Sequence, residues 1–409
     1  MRRIAVVGAG QAGLHLALGL QAAGYPVTLV APRTPEQLRG GPVLSTQAMF
    51  GPALRIERAA GLDLWAAEAP AVREVGAVLA VPPGVRALEY TMTLDEPARS
   101  VDQRLKLAAW LELFTERGGR PEYRALDRAG LRELAERHEL TVVAVGRGEL
   151  AEVFARDERR SPHRQPQRTI ACLYAHGVGS PGPVAEPRAR MHAIPGVGEL
   201  YLQPALTLSG PCSILLWEAV PGGPLDRFAD RPTPAGQLAR IRALLRTHLP
   251  WEAELWAAAE PTDPGAALFG AVTPTVRHPV ARLAADCHVL GLGDALVVND
   301  PIAGQGANSA ARAAAWYLAA ITERGAAPFD PGWMAETFER FWQQHARHTV
   351  DFTTAMLAPP DHLQAVFAAA ATHPAVARRF ANTYADPADH AAWLADPRTT
   401  AAYLAEVTG

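Results

Sequence analysis

Apolar positions along the chain change rhythm in a way that divides it into strands, helices and meanders. Residues 3–7 form a short β-rich apolar run, and 8–13 are punctuated by glycine. Leu14, Leu16, Leu18 and Leu20 then lie in an Ala/Leu-rich stretch ending near Gly24, and 27–30 is a second buried run. This order predicts strand, tight turn, helix and strand at the start of the chain. Two further buried strands are predicted over 140–146 and 287–291. A charged helix over about 128–138 precedes the first, and Gly293-Asp294 and a helix over about 304–324 follow the second.

Between these pieces the pattern shortens to alternation, as in 169–174, 199–203 and 213–218, with Gly- and Pro-rich turns between the runs. Stretches 47–95 and 165–275 therefore read as a mostly antiparallel sheet. From Pro331 onward helical patterns are broken at Pro359-Pro360 and Asp386-Pro387. The fold class expected is α/β. A Rossmann-type domain built discontinuously from 1–46, 96–164 and 276–330 carries an inserted β-rich domain, 47–95 and 165–275, and a helical C-terminal region, 331–409.

Composition narrows the chemistry. The 409 residues hold 39 basic and 42 acidic side chains for a formal charge of −3, without the basic excess of a nucleic-acid binder. Lys106 is the only lysine, and its surroundings, 101–107, form neither a P-loop nor a Schiff-base site. Cys172, Cys212 and Cys287 are scattered, as expected of buried thiols in a reducing compartment. The chain contains no apolar run of 18 residues, so neither a membrane span nor a signal peptide is expected, and the reading is cytoplasmic.

Gly8-Ala9-Gly10-Gln11-Ala12-Gly13 is a GxGxxG turn between a predicted strand and a predicted helix. The first glycine permits the turn, the second admits a pyrophosphate, and the third lets the helix pack on the strand. The acid usual after the second strand is missing, and the chain there reads Val30-Ala31-Pro32-Arg33. Arg33 is a candidate for a phosphate or adenine contact and keeps NADPH open as an alternative; a solvated arginine is equally compatible with the pattern. A second constellation favours flavin. Gly291-Leu292-Gly293-Asp294 follows a strand, placing a carboxylate to accept from a sugar-alcohol chain. Asp300-Pro301-Ile302-Ala303-Gly304-Gln305-Gly306-Ala307-Asn308 opens a helix whose free N–H groups suit an anionic ring edge.

With these motifs in place the chain resembles the oxygenase components of the styrene and indole monooxygenases, a two-component flavoprotein family. The resemblance runs over most of the chain. It includes Gly8 to Leu16, Ser100-Val101-Asp102-Gln103-Arg104-Leu105, Pro166-Gln167-Arg168, Pro204 to Gly210 and, most specifically, Gly291 to Asp294 continuing to Asp300 to Asn308. It implies FAD held at Gly8, Gly10, Gln11, Ala12 and Gly13, with ribityl or pyrophosphate contacts from Arg104 and Asp294. The ring would lie over Pro301 and Ile302, its pyrimidine edge at Gly304, Gln305, Gly306, Ala307 and Asn308. Reduced FAD from a separate NAD(P)H:flavin reductase would react with O2 to a C4a-hydroperoxide that oxygenates a small apolar aromatic alkene, indole or sulfide. The assembly leaves room for a homodimer.

Two positions depart from the family pattern: Pro42 stands where the family has Arg, and Ser45 where it has Asn. Ser45 and Thr46 are the hydroxyl candidates near the reacting oxygen, with a structural turn as the competing reading. Rivals are a one-component NADPH-dependent hydroxylase, for which a second nucleotide turn is missing (Gly146-Arg147-Gly148 is incomplete), and a non-catalytic flavin-binding protein. A flavin-dependent halogenase would need a WxWxIP segment and a catalytic lysine, and neither is present. His345 and His348 read as a solvated or half-buried helix face, and no metal site is expected. The run Arg156, Arg159, Arg160, Arg164 and Arg168 reads as a charged linker partly neutralised by Asp157 and Glu158.

Overall fold

The computed structural model describes residues 2–45, 47–180 and 187–409. Ile4–Val7 and Leu140–Val143 are buried at every position, which is why their apolar runs do not alternate. They pair in parallel, Ile4 opposite both Val27 and Leu140. The sheet they found has six strands in the order Val280–Ala284, Cys287–Gly291, Leu140–Val143, Ile4–Val7, Val27–Ala31, Glu122–Tyr123. Val280–Ala284 is an antiparallel edge that sequence reasoning missed. The helix Gln11–Ala22 packs on this sheet and against the helix Gln305–Arg324. Gly19 permits their approach: a Cβ there would lie 2.6 Å from Leu318.

The second sheet has eight strands, ordered Glu260–Pro261, Thr169–His176, Gly210–Ala219, Gly198–Thr207, Arg188–Ile194, Val72–Ala80, Arg86–Ala98, with Ala267–Ala271 also on Thr169–His176. Its ladders are antiparallel except Val72–Ala80 against Arg188–Ile194. Reading 47–95 and 165–275 as sheet overlooks helices within them: Gly51–Ala59, Pro234–His248 and Pro250–Leu255. The first of these puts Ala53, Leu54 and Glu57 on one buried face. After Pro331 come helices ending at Leu357 and Ala385, before the predicted breaks. His345 packs edge-on against Trp316, and Arg160 pairs with Glu339 at 2.7 Å, extending the neutralisation of the basic run. Among the described residues no helix is long and apolar enough to cross a membrane.

Candidate active site

The glycine turn is built as its spacing requires. A Cβ on Gly13 would stand 2.0 Å from the carbonyl oxygen of Gly8, and one on Gly8 would meet that of Ala144 at 2.7 Å. Gly10 faces open space, and as N-cap of Gln11–Ala22 it offers no side-chain acceptor to the first amides of the helix. Those amides are therefore directed at whatever anion enters. Gly304, left-handed at φ 62°, caps Gln305–Arg324, again without a side-chain acceptor, and Gly306 also faces open space. By contrast, Asp102, Asp127, Thr233, Asp330 and Asp396 each accept from the first turn of their own helices. These two glycine-led starts lie side by side, the Gln11 side chain donating to the Ala307 carbonyl at 3.2 Å.

The constellations also touch. Gly293, at φ 61°, would bring a Cβ within 3.0 Å of Ala12. Asp294 approaches Gly146 so closely that a Cβ on the latter would lie 2.4 Å away. That approach explains why the strand predicted to 146 ends at Val143: the chain must swing past Asp294. Enclosed by protein yet open to the cavity, the Asp294 carboxyl is pushed up to about 6 by burial, against the pull of Arg147 and Arg277. Arg147 also lies near Arg33, whose guanidinium burial and the neighbouring charge both push down. Neither arginine has a carboxylate partner among the described residues. Two unpaired cations flanking an uncapped helix start suit the phosphates of a dinucleotide, and sequence reasoning missed Arg147 by treating its loop only as an incomplete turn.

Four expected contacts are otherwise engaged. Arg104 is buried and spends its N–H groups on Asp102, Asp263, Thr207 and the Gly41 carbonyl, with 2.7 Å to Asp102 and 2.9 Å to Asp263. It holds the 41–45 segment in place and presents no free donor to a ribityl chain. The Gln11 carboxamide turns inward to Glu57 at 2.8 Å and to the Ala307 carbonyl. Gln305 donates to the carbonyls of Ala303 and Tyr384. Asn308 accepts from the Phe50 amide at 2.9 Å and donates to Ala48 and Gly304. These side-chain donors position backbone, and at Gln11, Gln305 and Asn308 it is chiefly main chain that is left to face a cofactor. Lys106, buried against Glu57 at 2.6 Å, is not among the cavity-lining residues.

A cavity of about 340 Å³ lies between the Asn299–Ala307 corner and the eight-stranded sheet. Pro301, Ile302, Gly304, Gly306, Ala307 and Asp294 form one wall. Val75, Met92, Leu94, Tyr201, Ile214 and Leu216 also line it, together with Arg99, Arg190 and Gln203, so the lining is largely but not wholly apolar. Ser45 lines it as well, its carbonyl accepting from the Tyr174 hydroxyl at 2.8 Å. Thr46 lies outside the described residues. The uncapped amides, open glycines, cavity-facing Asp294 and the two arginines without a carboxylate partner among the described residues fit a dinucleotide cofactor such as FAD.

Comparison with known proteins agrees. Residues 146–254 match a family model described as "Styrene monooxygenase A putative substrate binding domain". The styrene monooxygenase StyA of Pseudomonas fluorescens is 32% identical over 323 residues, covering 78% of this chain and 76% of that one, and a StyA from a Pseudomonas species matches to the same extent. Among solved structures, a flavoprotein/dehydrogenase from Cytophaga hutchinsonii superposes with a TM-score of 0.66 at 15% identity, over 94% of this chain and 92% of that one. The flavin-dependent brominase Bmp2 superposes at 0.60 and 16%, over 94% and 99%. At those identities the two structures speak to the fold alone.

Proposed function

The chain belongs to the styrene monooxygenase family and is an FAD-dependent monooxygenase; from that premise we propose that it oxygenates a small, apolar aromatic alkene, indole or sulfide with reduced FAD supplied by a separate reductase. The observation that carries this reading is the largely apolar chamber that continues directly from the Pro301 corner. When bound, reduced FAD supplies the electrons with which O2 delivers one oxygen atom to substrate and the other to water. The chain's part is to hold and to exclude. The amides opening Gln305–Arg324 would face the anionic edge of the ring, and Asp294 would accept from ribityl hydroxyls. Arg33 and Arg147 would flank the phosphates, while the chamber walls would keep water from the reacting atoms. Ser45 is the described hydroxyl candidate at that end, and Thr46 remains the second proposal.

The test feeds FAD through a surrogate reductase to a panel of styrenes, indole and aryl sulfides. Epoxide, indigo-type pigment or sulfoxide is the expected product. Rapid reduction of FAD by NADPH without any reductase would instead support a one-component hydroxylase. Gly306→Ala probes the cofactor seat separately. Its Cβ meets nothing in the chain, so the helix should gain about 0.5–1 kcal/mol. FAD affinity should fall roughly tenfold through loss of close approach to the amides. A variant that is stabilised and binds FAD normally would remove the ring from that edge.

A further inference from the structure

Behind the Pro301 corner lies a carboxyl pair that the reading above does not use. Glu218, on Gly210–Ala219, is fully buried, and among the described residues no N–H or hydroxyl donates to either of its carboxyl oxygens. It faces Asp300, which is also fully buried. Asp300 Oδ1 accepts from the Ile302 amide at 3.1 Å, capping the turn Pro301–Ala303, and its Oδ2 is free. The nearest cation is spoken for. Arg168 forks onto Glu199, directly across the ladder from Glu218, at 2.7 and 2.8 Å, and donates to the Leu357 carbonyl. Tyr201 and Tyr384, whose hydroxyls burial keeps neutral, complete the surroundings.

Two facing carboxyls without a cation of their own cannot both ionise in a dry site. We propose that Glu218 and Asp300 share one proton, carried on Glu218 and offered to Asp300 Oδ2, and that this pair is the positioning device that holds the Pro301–Ala303 turn under the cavity. The proton resides on Glu218 because Asp300 has an amide donor to stabilise its anion and Glu218 has none. Burial pushes both carboxyls upward, Glu218 the further. Losing the proton sets two anions against each other behind the turn, and adding a second weakens the charge-assisted bond to Ile302.

The consequence for catalysis rests on the proposed cofactor site, but the shared proton is tested on the chain alone. Difference infrared spectra of the wild-type protein between neutral and alkaline pH should show the carbonyl stretch of a protonated carboxylic acid, and Glu218→Gln should abolish it. With FAD, Glu218→Gln keeps a donor to Asp300 and should bind normally while losing the alkaline fall in affinity. Glu218→Leu leaves Oδ2 unanswered and should bind roughly tenfold more weakly at neutral pH. Identical infrared spectra for wild type and Glu218→Gln would overturn the shared proton. A normal infrared result with no effect of either variant on FAD binding would keep the proton and remove its role at the site.

Discussion

The charged groups under Gln103–Glu116 and those behind Pro301 are equally dry, but only the first set has its charges answered. Glu57 is buried with Lys106 2.6 Å and 2.7 Å from its two oxygens, and Gln11 adds a third donor at 2.8 Å. Burial pushes its carboxyl up while Lys106 pulls it back. Glu218 has no such cation, because Arg168 is committed to Glu199. The contrast separates two uses of buried charge. An answered pair ties elements together at any ordinary pH, here the glycine turn through Gln11 to the helix carrying Lys106. An unanswered pair must hold a proton, and so responds to pH at the wall of the cavity.

Breaking the answered pair should have the largest effect. Lys106→Met strands a buried carboxylate and should cost about 3–5 kcal/mol in denaturant unfolding; a loss below about 1 kcal/mol would mean that Glu57 is answered by something else. Adding Glu57→Leu to that variant should recover most of the loss, since the penalty lies in the unpaired charge rather than in the missing bond. On the other side, Glu218→Gln should change the pH dependence of stability more than its size. The Glu218 carboxyl lies above its ordinary value in the fold. The folded chain therefore keeps a proton that the unfolded chain releases as pH rises through the ordinary carboxylate range. The stability it contributes is full at low pH and is lost towards the raised value, with a slope of at most about 1.4 kcal/mol per pH unit. Wild type should lose stability relative to Glu218→Gln over that window, read by melting temperature against pH. The smallest effect concerns His15, held down at about 4 first by burial and then by Lys106. In Lys106→Met its NMR titration should move upward only partly, because burial remains.

Much of the two glycine-led turns was legible because their constraints are local. Gly8, Gly10 and Gly13 sit at contacts or openings that a spacing of six residues sets by itself, and Gly304 occupies a left-handed position favouring glycine. Polar side chains were harder to place. Gln11, Arg104, Gln305 and Asn308 belong to motifs, yet each also has a partner far along the chain, 46, 159, 79 and 258 residues away. Hydrophobic rhythm carries no information about such pairings. The helix Gly51–Ala59 was hidden for a related reason: its buried Glu57 reads as a surface residue until Lys106 is beside it.

By itself the sequence determined the opening strand, turn, helix and strand, the two glycine-led helix starts and the presence of a single lysine outside any lysine-chemistry motif. These follow from backbone sterics and from periodicity, which act over a few residues. Tertiary structure alone decided which charges find partners among the described residues: that Arg104 turns to Asp102 and Asp263, that Arg33 and Arg147 lie near each other without a carboxylate, and that Glu218 meets Asp300 without a cation. A charge in low dielectric is governed by whatever lies within a few ångströms, and in a folded chain those neighbours come from anywhere in the sequence.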